Sequence, residues 1–258
     1  MNAVKDFFKQ RKFNIIGSLA AIALMWIVWL IAYYSAGNKQ IVPSFSETAV
    51  CFWNNLSSAE FWAAVGGSLL RTVAAFLISF AAAAVCAAAA SLSKTVKAIF
   101  KPLMTFIRVL PTLAVSLIIL KITSGNRSVS PAAVTVLVLF PAIYAQFIAA
   151  AEGIDAGLFE MAKVYNVNKR DKLFKIYLPQ ILPNALSQTG ANLSLGLKVT
   201  VSAEVLVNTA KGLGGMMQES SLAAETANLA ALTLAAVVVG LLLDAVCSQL
   251  KRLTQKWN

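Results

Sequence analysis

Runs of about 20 predominantly apolar residues, separated by short polar stretches, constrain this chain more than any other feature. A segment of that length can cross a bilayer as a helix. A helix satisfies its backbone hydrogen bonds internally, as hydrocarbon demands. The runs cover 15–36, 72–92, 102–122, 131–151, 180–203 and 227–247. The expected fold is therefore all-α: one polytopic transmembrane domain over 1–258, with about six transmembrane helices and no appended soluble domain. With 59% hydrophobic and 13% charged residues, an ordinary soluble domain is excluded.

Each run has its own character. The first follows a basic start, Lys5, Lys9, Arg11 and Lys12, but is longer than the apolar core of a signal peptide, so an uncleaved span is expected. Residues 37–70 read as a mixed connection whose Phe52, Trp53, Phe61 and Trp62 suit an interfacial helix. The second run is mostly alanine, which lets neighbouring helices approach closely. The third opens at Pro102, a tolerable first-turn position, and bends at Pro111; the fourth holds Pro141. The fifth is the least apolar, and the sixth is followed by Lys251, Arg252 and Lys256.

Basic residues are unevenly shared between the two sides. Fifteen fall on the side of the amino terminus and six on the other, with Arg108 inside a run. Positive charge stays inside the cell, so both termini are expected in the cytoplasm of a plasma (inner) membrane protein. The same bias accounts for the net charge of +11 without nucleic acid.

One interval on that side is different. Between Glu152 and Lys175 the chain has five basic and four acidic residues, and 152–178 reads as a two-helix segment projecting into water. Leu158, Met161, Ala162 and Tyr165 share the period of one helical face, and Leu173, Ile176 and Tyr177 repeat it. Asn166 falls where the first helix should stop, because Asn tolerates left-handed backbone angles. Asn168 is a good N-cap with Asp171 three residues on, and Pro179 forbids simple continuation into the next run. An apolar ridge with charged flanks suits a groove on a soluble partner.

These residues carry a resemblance. Glu160-Met161-Ala162, then Asn166, then Ile176-Tyr177-Leu178-Pro179 resemble the E-A-A, G, I-x-L-P cytoplasmic signature of binding-protein-dependent ABC transporter permeases, with Met161 and Asn166 departing from it. Ser68-Leu69-Leu70-Arg71-Thr72, Pro102 to Arg108 with Pro111, Phe140-Pro141, Ala203-Glu204, Gly212-Leu213-Gly214 and Gly240 to Asp244 are similar to landmarks of the nitrate/sulfonate/taurine group. The agreement runs in order from Ser68 to Asp244. After Pro111 the chain lacks a proline usual in that group, which leaves the substrate open among sulfonates, nitrate-like anions and vitamin precursors.

The resemblance implies the membrane subunit of an ATP-driven importer. It implies docking on an ATP-hydrolysing subunit through Glu160, Met161, Ala162, Tyr165, Asn166, Val167, Ile176, Leu178 and Pro179. Its partners would be cytoplasmic ATP-binding subunits, a second permease copy or paralogue, and an external substrate-binding protein. ATP and Mg would sit on the partner, with no cofactor on this chain.

Other residues are weighed by chemistry. Gln188 and Asn192 share one face of the fifth run, with Ser194 and Lys198 on an adjoining one; polar side chains there line a path or bond neighbouring helices. Arg108 snorkels, pairs with Asp244 inside the membrane, or attracts an anion. Lys121 and Lys198 are expected near outer helix ends, snorkelling or facing the path mouth. Gly212-Leu213-Gly214-Gly215 lacks the phosphate-loop form and reads as turn and packing. Without a histidine or a metal-binding cysteine motif, neither a catalytic centre nor a metal site is expected. The alternative class is an ion-gradient-driven secondary transporter, which would want an intramembrane acidic relay.

Overall fold

One alanine-lined seam and one layer of buried hydroxyl groups organise the helices of this protein. The structure is a computed structural model, describing residues 17, 20–21, 23–38 and 41–254. Within these the chain is helical, with no strand. In chain order come α1 (Ala23–Ala36), α2 (Phe45–Leu56), α3 (Ala59–Leu92), α4 (Lys94–Val109), α5 (Thr112–Ile122) and α6 (Ser130–Glu152). They are followed by α7 (Ala156–Val164), α8 (Lys169–Lys172), a π-turn over Leu173–Tyr177, α9 (Leu178–Ser187), α10 (Thr189–Val207), α11 (Leu213–Leu222) and α12 (Thr226–Thr254).

Four of these helices, α3, α6, α10 and α12, are long and apolar enough to cross a membrane, and the bent pair α4–α5 makes up to five. The pair bends by 97° at Leu110-Pro111. The bend foreseen at Pro111 is therefore a full break, because proline disfavours helical angles in the residue before it and lacks an N–H. Of the first expected span, Ala23–Ala36 is an apolar helix; residues 15, 16, 18, 19 and 22 lie outside the described residues.

Two boundaries differ from expectation. Helix α3 starts at Ala59 rather than near Thr72, so Gly66, Gly67 and Ser68 lie inside a helix. Gly67 is there for close approach, since a Cβ on it would meet the Lys211 carbonyl oxygen at 2.6 Å. The fifth run is two helices broken at Gln188, which moves its span to 189–207. Pro179 does not restart the chain. The π-turn ends with the Leu178 N–H on the Leu173 carbonyl, and this wide turn makes room for the following ring.

The alanines of α3 do what small residues allow. Ala75, Ala83, Ala87 and Ala90 are buried where α3 runs along α6. At mid-height α3, α6 and α10 meet around Gly196, whose Cβ position lies 3.1 Å from Leu139 and 3.3 Å from Thr72. Here Thr200 bonds Thr72 at 3.1 Å and Thr135 at 2.8 Å, so the buried hydroxyls satisfy one another. One apolar cluster, with Leu139, Phe147, Ile154, Tyr177 and Ile181, fills the end carrying α7. A second, with Phe61, Leu197, Leu213, Met217 and Leu232, fills the opposite end.

Candidate functional site

At the end of α6 the chain leaves the bundle and folds back on it. Asp155 caps α7 by accepting from the Gly157 N–H at 2.9 Å. The helix stops at Tyr165, and Asn166 takes the left-handed conformation with φ +49°. Asn168 then accepts from the Asp171 N–H at 2.7 Å, the cap its position foretold. The Lys175 ammonium bonds the Asp171 carboxylate at 3.0 Å and holds that carboxyl below the usual carboxylate range.

The turn makes a direct prediction. Asn166→Gly should leave the stability of 156–187 unchanged or slightly raised. Asn166→Val should weaken it by about 1–2 kcal/mol, since a β-branched residue cannot adopt these angles freely. Amide exchange across α7 and α8 in the two variants measures the difference.

The face read as one ridge divides. Leu158 and Ala162 turn inward, Ala162 being only 4% exposed, while Met161, Val164 and Tyr165 turn out. Of the second half, Leu173, Ile176 and Tyr177 pack inward and Phe174, Leu178 and Pro179 face out. Glu160, Asn166 and Val167 line a cleft with Lys94, Lys163 and Lys172. The result is an exposed apolar surface with charged edges on an anchored base. That base is tied to α3 and α4: Tyr177 donates to the Ser91 carbonyl at 3.3 Å, and Glu152 pairs with Lys97.

The opposite end holds a site that sequence reading missed. Glu204, one residue past the expected end of the fifth run, lies within α10 and is fully buried. Its carboxylate accepts from Ser68 Oγ at 2.6 Å, Arg71 Nη1 at 2.8 Å and the Gly214 N–H at 3.1 Å. Arg71 also donates to the carbonyls of Lys211 at 2.7 Å and Ser128 at 3.0 Å. Ser68 Oγ in turn accepts from the Leu213 N–H at 2.9 Å. One buried carboxylate thus gathers α3, the loop before α6, α10 and the start of α11. Three separate sequence landmarks, around Arg71, Glu204 and Gly214, are parts of this one node.

The glycines nearby belong to it, as turn and packing. A Cβ on Gly212 would lie 2.6 Å from the Glu204 carboxyl, and one on Gly215 would lie 1.9 Å from the Thr209 carbonyl oxygen.

The candidate path residues separate into two groups. Asn192 is buried and exchanges two amide hydrogen bonds with Gln146, at 3.0 and 2.9 Å; Ser194 donates to the Gly240 carbonyl at 3.0 Å. Both fasten α10 to its neighbours. Gln188 and Lys198 are exposed. Lys198 is at the middle of α10, not near its outer end, because the break at Gln188 shifts the span. Of the alternatives for Arg108, the pair with Asp244 is not formed. Arg108 Nη2 donates to the Pro141 carbonyl at 3.3 Å, and Asp244 lies against Gly190. Among the described residues no cluster could hold a metal ion.

A bundle of four or five apolar helices long enough to cross a membrane, with a folded-back, apolar-surfaced segment at one end, defines a multi-pass membrane protein. Residues 75–257 match the model of the "Binding-protein-dependent transport system inner membrane component" family, and the chain belongs to that family: it is the permease subunit of an ABC importer. It is 25% identical over 258 residues to the putative aliphatic sulfonates transport permease protein SsuC of Bacillus subtilis (strain 168), covering 99% of this chain and 92% of the relative. It is 23% identical over 248 residues to the taurine transport system permease protein TauC of Escherichia coli (strain K12), covering 94% and 89%. In fold it is similar to a bacterial alginate ABC transporter in complex with an alginate pentasaccharide-bound periplasmic protein, with a TM-score of 0.64 at 17% identity over 92% of this chain and 95% of that one. The MetNI methionine ABC transporter in an inward-facing conformation matches with a TM-score of 0.58 at 16% identity, over 76% and 98%.

Proposed function

We propose that residues 156–179 are the surface on which a separate ATP-hydrolysing subunit docks, and that the permease pathway carries a small organic anion of the sulfonate type. The observation that carries the docking reading is the outward apolar surface of Met161, Val164, Tyr165, Phe174 and Leu178 on a base anchored through Ala162 and Tyr177. A segment so fastened transmits a push to α3, α4 and α6 rather than yielding locally. The uneven share of lysine and arginine supports placing this end, and both termini, in the cytoplasm of the inner membrane. Two permease chains would enclose the path, with ATP and Mg held by the docked subunits. An external binding protein would deliver the solute. The anionic class rests on the sulfonate and taurine relatives.

An ion-gradient mechanism finds no support at the buried carboxylate, because Glu204 is held by Arg71, Ser68 and Gly214. Glu160 sits exposed on the rim of the cleft beside Lys163 and Lys172. Glu160→Lys should reduce uptake of a radiolabelled alkanesulfonate by cells to background, with membrane insertion and folded yield unchanged. Normal uptake and normal co-purification of the ATP-hydrolysing subunit in that variant would remove the docking role.

A further inference from the structure

We propose that Lys198 is the fixed cation of the translocation path, the group that offsets the charge of an anionic solute at mid-membrane. The inference rests on the permease reading above and adds a residue to it.

Its own helix and two neighbouring ones fix the depth of Lys198 independently of any assumed bilayer. Its own helix runs Thr189–Val207, leaving nine residues on either side, or about 13 Å at 1.5 Å per residue. Two residues before it, Gly196 packs on Leu139, midway along α6. Four residues before it, Ser194 bonds the carbonyl of Gly240, midway along α12. The lysine turn therefore lies level with the middles of two other spans. Four methylenes cannot bring the ammonium to either surface, so snorkelling is ruled out at this position.

The described residues supply no counter-ion at that level. Glu204 on the same helix is occupied by Arg71, and Asp244 lies against Gly190, two turns toward the other end. An ammonium facing lipid at mid-depth is strongly disfavoured even on the lenient insertion scale. Lys198 is exposed on the surface of the single chain, so water, solute or another subunit must meet it.

The face it occupies decides among these. Most of α10 is buried in the bundle, and its exposed residues form one stripe with the Gln188 cap: Gln188, Ala191, Leu195, Lys198, Ser202 and Leu206. Three of the six are polar and one is alanine. A lipid-facing stretch at mid-depth is apolar, as is the central exposed run Leu234, Val237, Val238, Leu241 and Leu242 on α12. The mixed stripe fits the wall of a water-filled path, with a cation at its waist and hydroxyl and amide groups on either side. Such a fixed charge raises the local concentration of anions and repels cations.

The test uses the whole chain co-expressed with a candidate ATP-hydrolysing subunit, in proteoliposomes. Cys51, Cys86 and Cys247 are replaced by serine, and Ser202→Cys places a single thiol one turn from Lys198. Two water-soluble thiol reagents are compared: a methanethiosulfonate bearing a sulfonate and one bearing a trimethylammonium group. The introduced thiol should react with both. Lys198 should raise the anion-to-cation rate ratio about tenfold, Lys198→Met or Lys198→Gln should abolish that excess, and Lys198→Arg should keep it. The proposal is overturned if the thiol at position 202 is unreactive from water, as it would be against lipid or sealed against a second copy. It is equally overturned if neutralising residue 198 leaves the ratio unchanged. Failure of the underlying reading shows separately, when that subunit does not co-purify with the wild-type chain.

Discussion

Arg71→Met is expected to destabilise the purified protein by about 3–5 kcal/mol, the cost of leaving a buried charge without its partner. Glu204 has no access to solvent, and the guanidinium is its only cationic neighbour within 4 Å among the described residues. Ser68 and the Gly214 amide would remain as donors, so the carboxylate would be bonded but uncompensated. Arg71 also holds two carbonyls from other segments, so the loop at Ser128 and the turn at Lys211 should loosen together. Combining Arg71→Met with Glu204→Leu should cost less than the sum of the two single changes, because each alone strands the other's charge. Thermal unfolding in mild detergent reads all three variants. A loss below about 1 kcal/mol for Arg71→Met would mean the pair contributes no more than an exposed one.

The second large effect is steric. Gly215→Val should cost about 3 kcal/mol or more, since the first added carbon would fall 1.9 Å from the Thr209 carbonyl oxygen. Gly214 is no freer, with the Val201 carbonyl oxygen at 2.3 Å from its Cβ position. In both cases the obstacle is backbone, which cannot swing aside as a side-chain tip can. Gly66 provides the contrast: it is helical, with nothing within 4 Å of its Cβ position. Gly66→Ala should therefore stabilise by roughly 0.5–1 kcal/mol, the ordinary helix penalty of glycine. Folded yield and unfolding temperature of the two variants separate crowding from propensity. Equal behaviour of Gly66→Ala and Gly215→Val would show that the close approach at Thr209 is not maintained.

Much of the folded-back segment was legible in one dimension because its determinants are local. A left-handed Asn166 and a cap at Asn168 received by Asp171 each depend on residues within one turn. The division of its ridge was not legible. Met161 and Ala162 are adjacent, and only the packing of α7 on the bundle turns one out and the other in. The start of α3 was missed for a related reason: Gly66-Gly67-Ser68 has loop composition, yet Gly67 is needed for a contact with Lys211, distant in sequence.

By itself the sequence determined that the chain crosses a membrane several times as helices, and where its water-facing segment lies. Apolar length and helical period depend on consecutive residues, and the bilayer reads them directly. The tertiary structure alone decided which polar groups in those helices are paired. It joined Arg71 to Glu204 across widely separated helices, spent Asn192 on Gln146, separated Arg108 from Asp244, and left Lys198 exposed at mid-helix. A side chain's partner is set by how helices rotate and cross, and that follows from small residues meeting between segments distant in the chain.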